Sequence, residues 1–290
     1  MESKNRGVWI IVAAIVVLAC CSLLACSALG VAFLVWPSWD RFSDRESPGD
    51  TEGDLQTKRI VESFEVGSAP TLRIDSFGGG VTVRGDAGET IQAAATKKAR
   101  RRSDLDRLEV TMTERDGGLE IEARNLSRAP NVSVLLEITV PAATHLDVDL
   151  GAGSVVVEGL SGGVQVDNAA GAIVLKEVSG GIKAHSAAGY VGARQAKGPV
   201  SLESAAGVIE YQGVPQGDCR FGTAAGSISL DLPAEPDLAV DLQATIGAVK
   251  AACDVEGTSS GRKLKGVIGT GSQGTVTAHT ALGDIDMVCR

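Results

Sequence analysis

From Gly153 onward the chain repeats itself every eighteen residues: Gly171, Gly189 and Gly207 follow at that interval, and Gly226 comes one residue late. Leu146 to Val157, Val164 to Leu175, Ile182 to Ala193 and Val200 to Tyr211 superimpose without a gap. A period in this range, carried by short apolar/polar alternation and small turn residues, belongs to a stack in which each repeat is one coil. The expectation is an all-β fold, a parallel β-solenoid with rungs of about eighteen residues. Function must then be sought on the surfaces of the stack rather than in an enclosed pocket.

Counted from each glycine, the apolar positions fall into columns. Seven residues before stand Leu146, Val164, Ile182, Val200, Cys219, Val240 and Val276; five before stand Val148, Val166, Ala184, Leu202, Phe221, Leu242 and Ala278. Two after stand Val155, Ile173, Val191, Ile209, Ile228, Val249 and Ile285, and four after stand Val157, Leu175, Ala193, Tyr211, Leu230, Ala251 and Met287. Spacing by two puts each set on one strand face, and like stacked on like gives a dry interior. Asn168-Ala169-Ala170-Gly171 and Ser186-Ala187-Ala188-Gly189 read as one corner, Ser161-Gly162-Gly163 and Lys197-Gly198-Pro199 as the other.

From Gly247 to Gly283 the interval doubles to thirty-six residues, and 254–274 lacks the alternation of a rung. This stretch reads as a loop or hairpin excursion, with Thr275 to Val288 returning as the closing rung of a 142–290 repeat region. Gly269-Thr270-Gly271-Ser272-Gln273-Gly274 matches a dinucleotide fingerprint, but no helix follows and there is no βαβ context, so it carries no cofactor expectation. No other cofactor is implied.

The net charge of −9 and pI near 4.9 argue against a nucleic-acid partner. Residues 7–36 contain no charged side chain, enough to span a bilayer as one helix with tilt. Lys4 and Arg6 in the 1–6 tail precede it, and Trp36, Trp39 and the acid-rich Asp40 to Asp54 follow. Positive residues inside and aromatics at the interface predict a single-pass cell-membrane protein, N-terminus cytoplasmic, with the solenoid outside. The competing readings are a lipoprotein, for which Leu23-Leu24-Ala25-Cys26 is a lipobox-like run, and an ordinary signal peptide. Residues 37–57 read as a flexible stalk carrying Pro48-Gly49.

Residues 58–141 read as irregular β structure that starts and caps the stack, with Leu72 to Val83 already rung-like. Within it, Lys97-Lys98-Ala99-Arg100-Arg101-Arg102 is the one strong basic run. It is either a solvated loop or a contact for anionic lipid headgroups or an anionic wall polymer.

Cys253 and Cys289 both lie six residues after their glycines, and their rungs become neighbours if the excursion loops out, which would permit a disulfide in an oxidising compartment. Cys219 falls in an inward column and reads as a buried thiol. Four residues before their glycines, Asp149, Asp167, His185 and Glu203 should point outward on successive rungs. Such a ladder could hold a divalent cation or act as an acid/base set. The plainer reading is a solvated polar face in which Lys183 and His185 relieve the repulsion of the acids. With no nucleophile elbow, metal-ligand motif or phosphate loop elsewhere, an enzyme is not expected.

An N-terminal span followed by rungs of the form V-x-V-x-N-A-A-G-x-I-x-L-x-x-V-S-G-G, ending in Ala281-Leu282-Gly283-Asp284-Ile285-Asp286, resembles the bacterial putative-adhesin β-strand-repeat family, also called toastrack domains. The resemblance covers roughly Val61 to Arg290. It implies an all-β solenoid at the cell envelope, often beside membrane modules of envelope-stress signalling, and no catalytic residues. The expected function is a membrane-anchored adhesion, scaffold or envelope-sensing module, touching the bilayer through 7–36 and envelope proteins or anionic wall polymers through the solenoid. The alternative is a carbohydrate-active or cation-binding solenoid that uses the acidic ladder.

Overall fold

The computed structural model describes residues 55–290. The expected tail, membrane span and lipobox, and all but the last three residues of the expected stalk, lie outside the described residues. Among the described residues no helix is long and apolar enough to cross a membrane.

The front of the chain supplies β1 (Gln56–Glu65), β2 (Thr71–Ser76), β3 (Gly79–Asp86), β4 (Thr90–Ala99), the single helical turn α1 (Arg102–Leu105), β5 (Leu108–Arg115), β6 (Gly118–Asn125) and β7 (Ser133–Pro141). β2 buries every second side chain, Leu72, Ile74 and Ser76, as a half-buried strand must. Together β2 and β3 form a true rung, in register with β8 (His145–Leu150) and β9 (Gly153–Glu158) on one side: Ile74 lies opposite Val148, and Val83 opposite Val157. On its other side lie β6 and β7, also parallel, with Ile74 opposite Ile121 and Val83 opposite Ile138. The chain thus lays its second coil outside its first, then returns to build the rest of the stack in the opposite direction. Antiparallel β5 continues the sheet beyond β6, and antiparallel β4 and then β1 continue it beyond β7.

The middle rungs are β10 (Val164–Lys176), β11 (Ile182–Gly198) and β12 (Val200–Pro215), paired in parallel at the eighteen-residue offset. Val166, Ala184 and Leu202 align, as do Ile173, Val191 and Ile209, and all six are buried. The expected corners at Asn168–Gly171 and Ser186–Gly189 are not turns between two strands. Each is a bend within one strand that stays in register with its neighbours. Gly189 sits at φ 134°, and a Cβ built there would lie 1.8 Å from the Gly171 carbonyl oxygen. Only glycine lets successive bends nest at strand spacing.

A further interior column follows the bend. Asn168, Ser186, Ser204, Thr223 and Thr280 stand three residues before their glycines and are buried. Asn168 Nδ2 donates to the Gly153 carbonyl at 3.2 Å, and Thr280 Oγ1 donates to that of Gly226 at 3.1 Å.

At the far end come β13 (Gly217–Ala225), β14 (Ile228–Leu232), β15 (Leu238–Ile246), β16 (Val249–Ala252), β17 (Glu256–Ser260), β18 (Lys263–Ile268), β19 (Gly274–Leu282) and β20 (Ile285–Cys289). Here the structure corrects the expected rung order. The rung formed by β19 and β20 does not close the stack. It lies between β13/β14 and β15/β16, with Cys219, Val276 and Val240 in one column and Ile228, Ile285 and Val249 in the other. The excursion at 254–274 is a hairpin of β17 and β18, and β18 pairs antiparallel with β15, placing Leu264 opposite Leu242. Burial of Leu264 and Ile268 covers the end of the core, worth about 1.5–3 kcal/mol for each such side chain.

Two further devices fix this end. Cys253 and Cys289 form a disulfide, whereas Cys219 is a buried free thiol whose proton burial holds more tightly. The Asp237 carboxylate accepts hydrogen bonds from the backbone N–H groups of Thr270 and Gly271, both at 2.6 Å, and from the hydroxyls of Thr270 and Ser272. The glycine-rich segment that resembled a dinucleotide loop therefore cradles an anion of its own chain.

Candidate functional site

Strands β2, β6, β8, β10, β11 and β12 turn their odd-numbered or even-numbered side chains alternately inward and outward, and parallel register carries each outward position into a row. One row runs Glu122, Asp75, Asp149, Asp167, His185, Glu203. Beside it runs Glu120, Arg73, Asp147, Gln165, Lys183, Ser201, Arg220. Neighbours along a row stand about 4.8 Å apart, the strand spacing.

Asp149, Asp167, His185 and Glu203 are thus brought onto one face in successive rungs. The structure adds Asp75 and Glu122, whose rungs come from much earlier in the chain, and so extends the acidic part of the row. Repulsion is relieved from the second row and from flanking arginines. Arg73 Nη2 lies 3.0 Å from Asp147 Oδ2, Arg124 pairs with Glu122 at 2.8 Å, and Arg115 pairs with Glu120 at 2.5 Å. His185 Nδ1 approaches Glu203 at 3.9 Å. Asp149 keeps the stress: partial burial, then the charges of Asp75, Asp167 and Asp147, raise its pKa above the usual carboxylate value.

These carboxylates lie in a line and do not converge. Among the described residues no three His, Cys, Asp or Glu side chains gather closely enough to hold a metal ion. Parallel register is the reason, since every rung sends its side chain the same way and keeps it one strand spacing from the next.

Three concavities adjoin on this face. The first, about 490 Å³, follows the Gly163, Gly181 and Pro199 corner and is lined by the cations Lys183 and Arg220 and the carboxylates Asp147 and Asp218. The second, about 350 Å³, is bounded by Asp167, His185 and Glu203 and shares Lys183 and Arg220. The third, about 390 Å³, is lined by Asp75, Glu120, Glu122, Asp147, Asp149 and Asp167. The face therefore runs from an acidic end to one bearing Lys183 and Arg220. Neither cation makes an ion pair among the described residues. Solvated charges at a fixed repeat suit multipoint binding of a polar polymer better than proton transfer to one bond.

After the bend in β11, Tyr190 lies across Gly192, where a Cβ would sit 2.4 Å from its hydroxyl oxygen. Tyr190 donates to Glu210 Oε2 at 2.7 Å, and Arg194 stands 3.6 Å from the same oxygen. Burial and the Glu210 hydrogen bond push the phenol pKa up.

The basic run is only partly a solvated surface. Lys97 is buried, and its Nζ donates to the Leu108 carbonyl at 2.5 Å, tying the end of β4 to the start of β5. Burial, and then the neighbouring Lys58, lower its pKa. Lys98, Arg100, Arg101 and Arg102 are exposed.

Sequence reading missed the buried Asn/Ser/Thr column, although continuing the period of two past the columns at seven and five before the glycine leads straight to it. It also missed the Tyr190–Glu210–Arg194 group and Asp237, which no repeat position marks.

No protein-family model matches the chain, and no curated protein matches it. Similar solved structures include one described as a "putative cell adhesion protein" from Clostridium sporogenes, 14% identical, covering 81% of this chain and 100% of that one, with a TM-score of 0.41. A "putative adhesin" from Bacteroides fragilis is 11% identical and covers 79% of this chain and 96% of that one, with a TM-score of 0.32. A "putative adhesin" from Parabacteroides merdae is 10% identical and covers 78% and 97%, with a TM-score of 0.22. These three similar structures are thus each described as a "putative" adhesin or cell adhesion protein.

Proposed function

We propose that the chain is an adhesion module: a β-solenoid displayed outside the cytoplasm from an anchor at residues 7–36, which holds an anionic polymer along the outward face of β8, β10, β11, β12 and β13. One observation carries this reading. Lys183 and Arg220 stand two rungs apart with Ser201 between them in the row, lining one groove, in a chain that is otherwise acidic. The groove follows the stacking axis, so an extended polymer lying in it meets an equivalent backbone corner at every rung. Repetition gives avidity without a deep pocket.

The test is attachment of cells displaying the full chain to surfaces coated with polygalacturonate, with neutral dextran as control. Lys183→Glu with Arg220→Glu should lower attachment to the polyuronate about tenfold and leave attachment to dextran unchanged. Equal attachment of variant and parent would remove the groove from the reading.

A further inference from the structure

We propose that the cationic edge at the end of β4 docks on anionic lipid headgroups and holds that end of the stack against the bilayer, a proposal that rests on reading residues 7–36 as a membrane anchor. The supporting observation is topological. Antiparallel register sets Gln56 opposite Ala99, Thr57 opposite Lys98 and Lys58 opposite Lys97. The chain therefore passes from residues 1–54 into the fold at the place where the basic run lies.

Lys58, Lys98, Arg100, Arg101 and Arg102 are exposed there, and none makes an ion pair among the described residues. Arg59, one residue along, already faces Glu137 at 3.5 Å. Asp104, Asp106 and Glu109 follow the run closely in sequence and are too few to neutralise five cations. The hydrogen bond from buried Lys97 and the burial of Leu105 fix the backbone on either side of Arg100 to Arg102.

Charge and reach favour a bilayer as the partner. The chain carries −9 overall, so an anionic surface attracts this edge while repelling the rest, which orients the molecule. A coil of the length of 37–54 reaches about 20–25 Å. That is within a few Debye lengths of about 8 Å at physiological salt, and the tether's effective concentration lets a modest attraction act.

The experiment uses the full chain with vesicles of phosphatidylcholine alone or mixed with phosphatidylglycerol. Flotation reports insertion, and mass spectrometry reports amine acylation at Lys58 and Lys98. Lys250 and Lys263, in the strands at the opposite end, serve as internal controls. In the anionic vesicles Lys58 and Lys98 should react about three- to fivefold more slowly, the controls should not change, and about 1 M salt should abolish the difference. Replacing Arg100, Arg101 and Arg102 by Glu should restore the rate at Lys98 without altering flotation or the melting temperature. Flotation with both vesicles but equal acylation would overturn the docking edge and leave the anchor standing. Flotation with anionic vesicles alone, with Lys98 protected, would support the edge and remove the anchor. No flotation with either would remove both.

Discussion

Cys253 and Cys289, thirty-six residues apart, are joined across neighbouring strands, with their Cα atoms 5.2 Å apart. The bond ties β16 to β20, the rung inserted beside it, and closes a loop containing the whole β17–β18 hairpin. In the chain-entropy account, a loop of this size restricts the unfolded chain by about 3–4 kcal/mol. Cys289→Ser should lower stability by that order in an oxidising buffer and by little in a reducing one. Thermal unfolding under both conditions measures the difference.

Gly189 makes a sharper test of the stacking. Alanine there would put its Cβ into the Gly171 carbonyl, at a backbone angle that side chains avoid. Gly189→Ala should cost several kcal/mol, on the order of 3–5. Gly217 also has a positive φ, 77°, but a Cβ there meets nothing within 4 Å, so Gly217→Ala should cost only about 1 kcal/mol. Equal melting of the two variants would contradict nested bends.

Asp237 should link the β18–β19 loop to pH. Its hydrogen bonds, that of the Ser272 hydroxyl foremost, lower its pKa to about 2. A carboxylate depressed in the fold stabilises it fully above its unfolded value of about 3.9 and loses that contribution as pH falls toward the folded value. Hydrogen exchange at the Thr270 and Gly271 amides should accelerate between about pH 4 and pH 2, corrected for intrinsic rates, and Asp237→Asn should weaken that dependence.

Asp149 has the opposite sign. Its raised pKa means that ionisation opposes folding at neutral pH, and protonation relieves the strain as pH falls through the folded value. Asp149→Asn should stabilise the domain by about 0.5 kcal/mol or less, since solvent screens an exposed row. The gain should shrink with added salt. Denaturant unfolding at low and high ionic strength would reveal it.

In the buried polar column, Thr280 and Thr223 occupy equivalent places but differ in partners. Thr280 Oγ1 is hydrogen-bonded to Gly226, whereas Thr223 Oγ1 has no protein partner. Thr280→Val should cost about 1 kcal/mol, and Thr223→Val should be neutral or stabilising. Parallel melts of the two variants make the comparison.

The repeat made columns legible but not their order. Val155, Ile173, Val191, Ile209 and Ile228 announce a shared column through β-branching and spacing, and the ladder pairs them in turn. The rung carrying Val276 and Ile285 fits against Cys219 and Ile228 as well as against Val240 and Val249, so side-chain pattern alone assigns it no place. At the front, Asp75 joins the acidic row because β2 pairs with β8, and Glu122 only because β6 doubles back outside β2. Nothing in the local sequence of either strand signals that return. Asp149, Asp167, His185 and Glu203 were legible as a row because they come from consecutive coils.

The insertion of β19 and β20 between rungs that precede them in the chain imposes an order on synthesis. A ribosome delivers Leu238 to Ala252 before Gly274 to Cys289, so β15 and β16 are made while the strands that must lie beneath them do not yet exist. Until those arrive, β13 and β14 present an open edge on which β15 and β16 offer a similar but wrong partner. Completion of this part of the stack therefore depends on strands made after the ones they underlie. A nascent chain stopped before residue 274 would have to leave a gap or settle into the shorter, mispaired stack, and the Cys253–Cys289 bond, which either order of the last two rungs permits, would not by itself select the correct one.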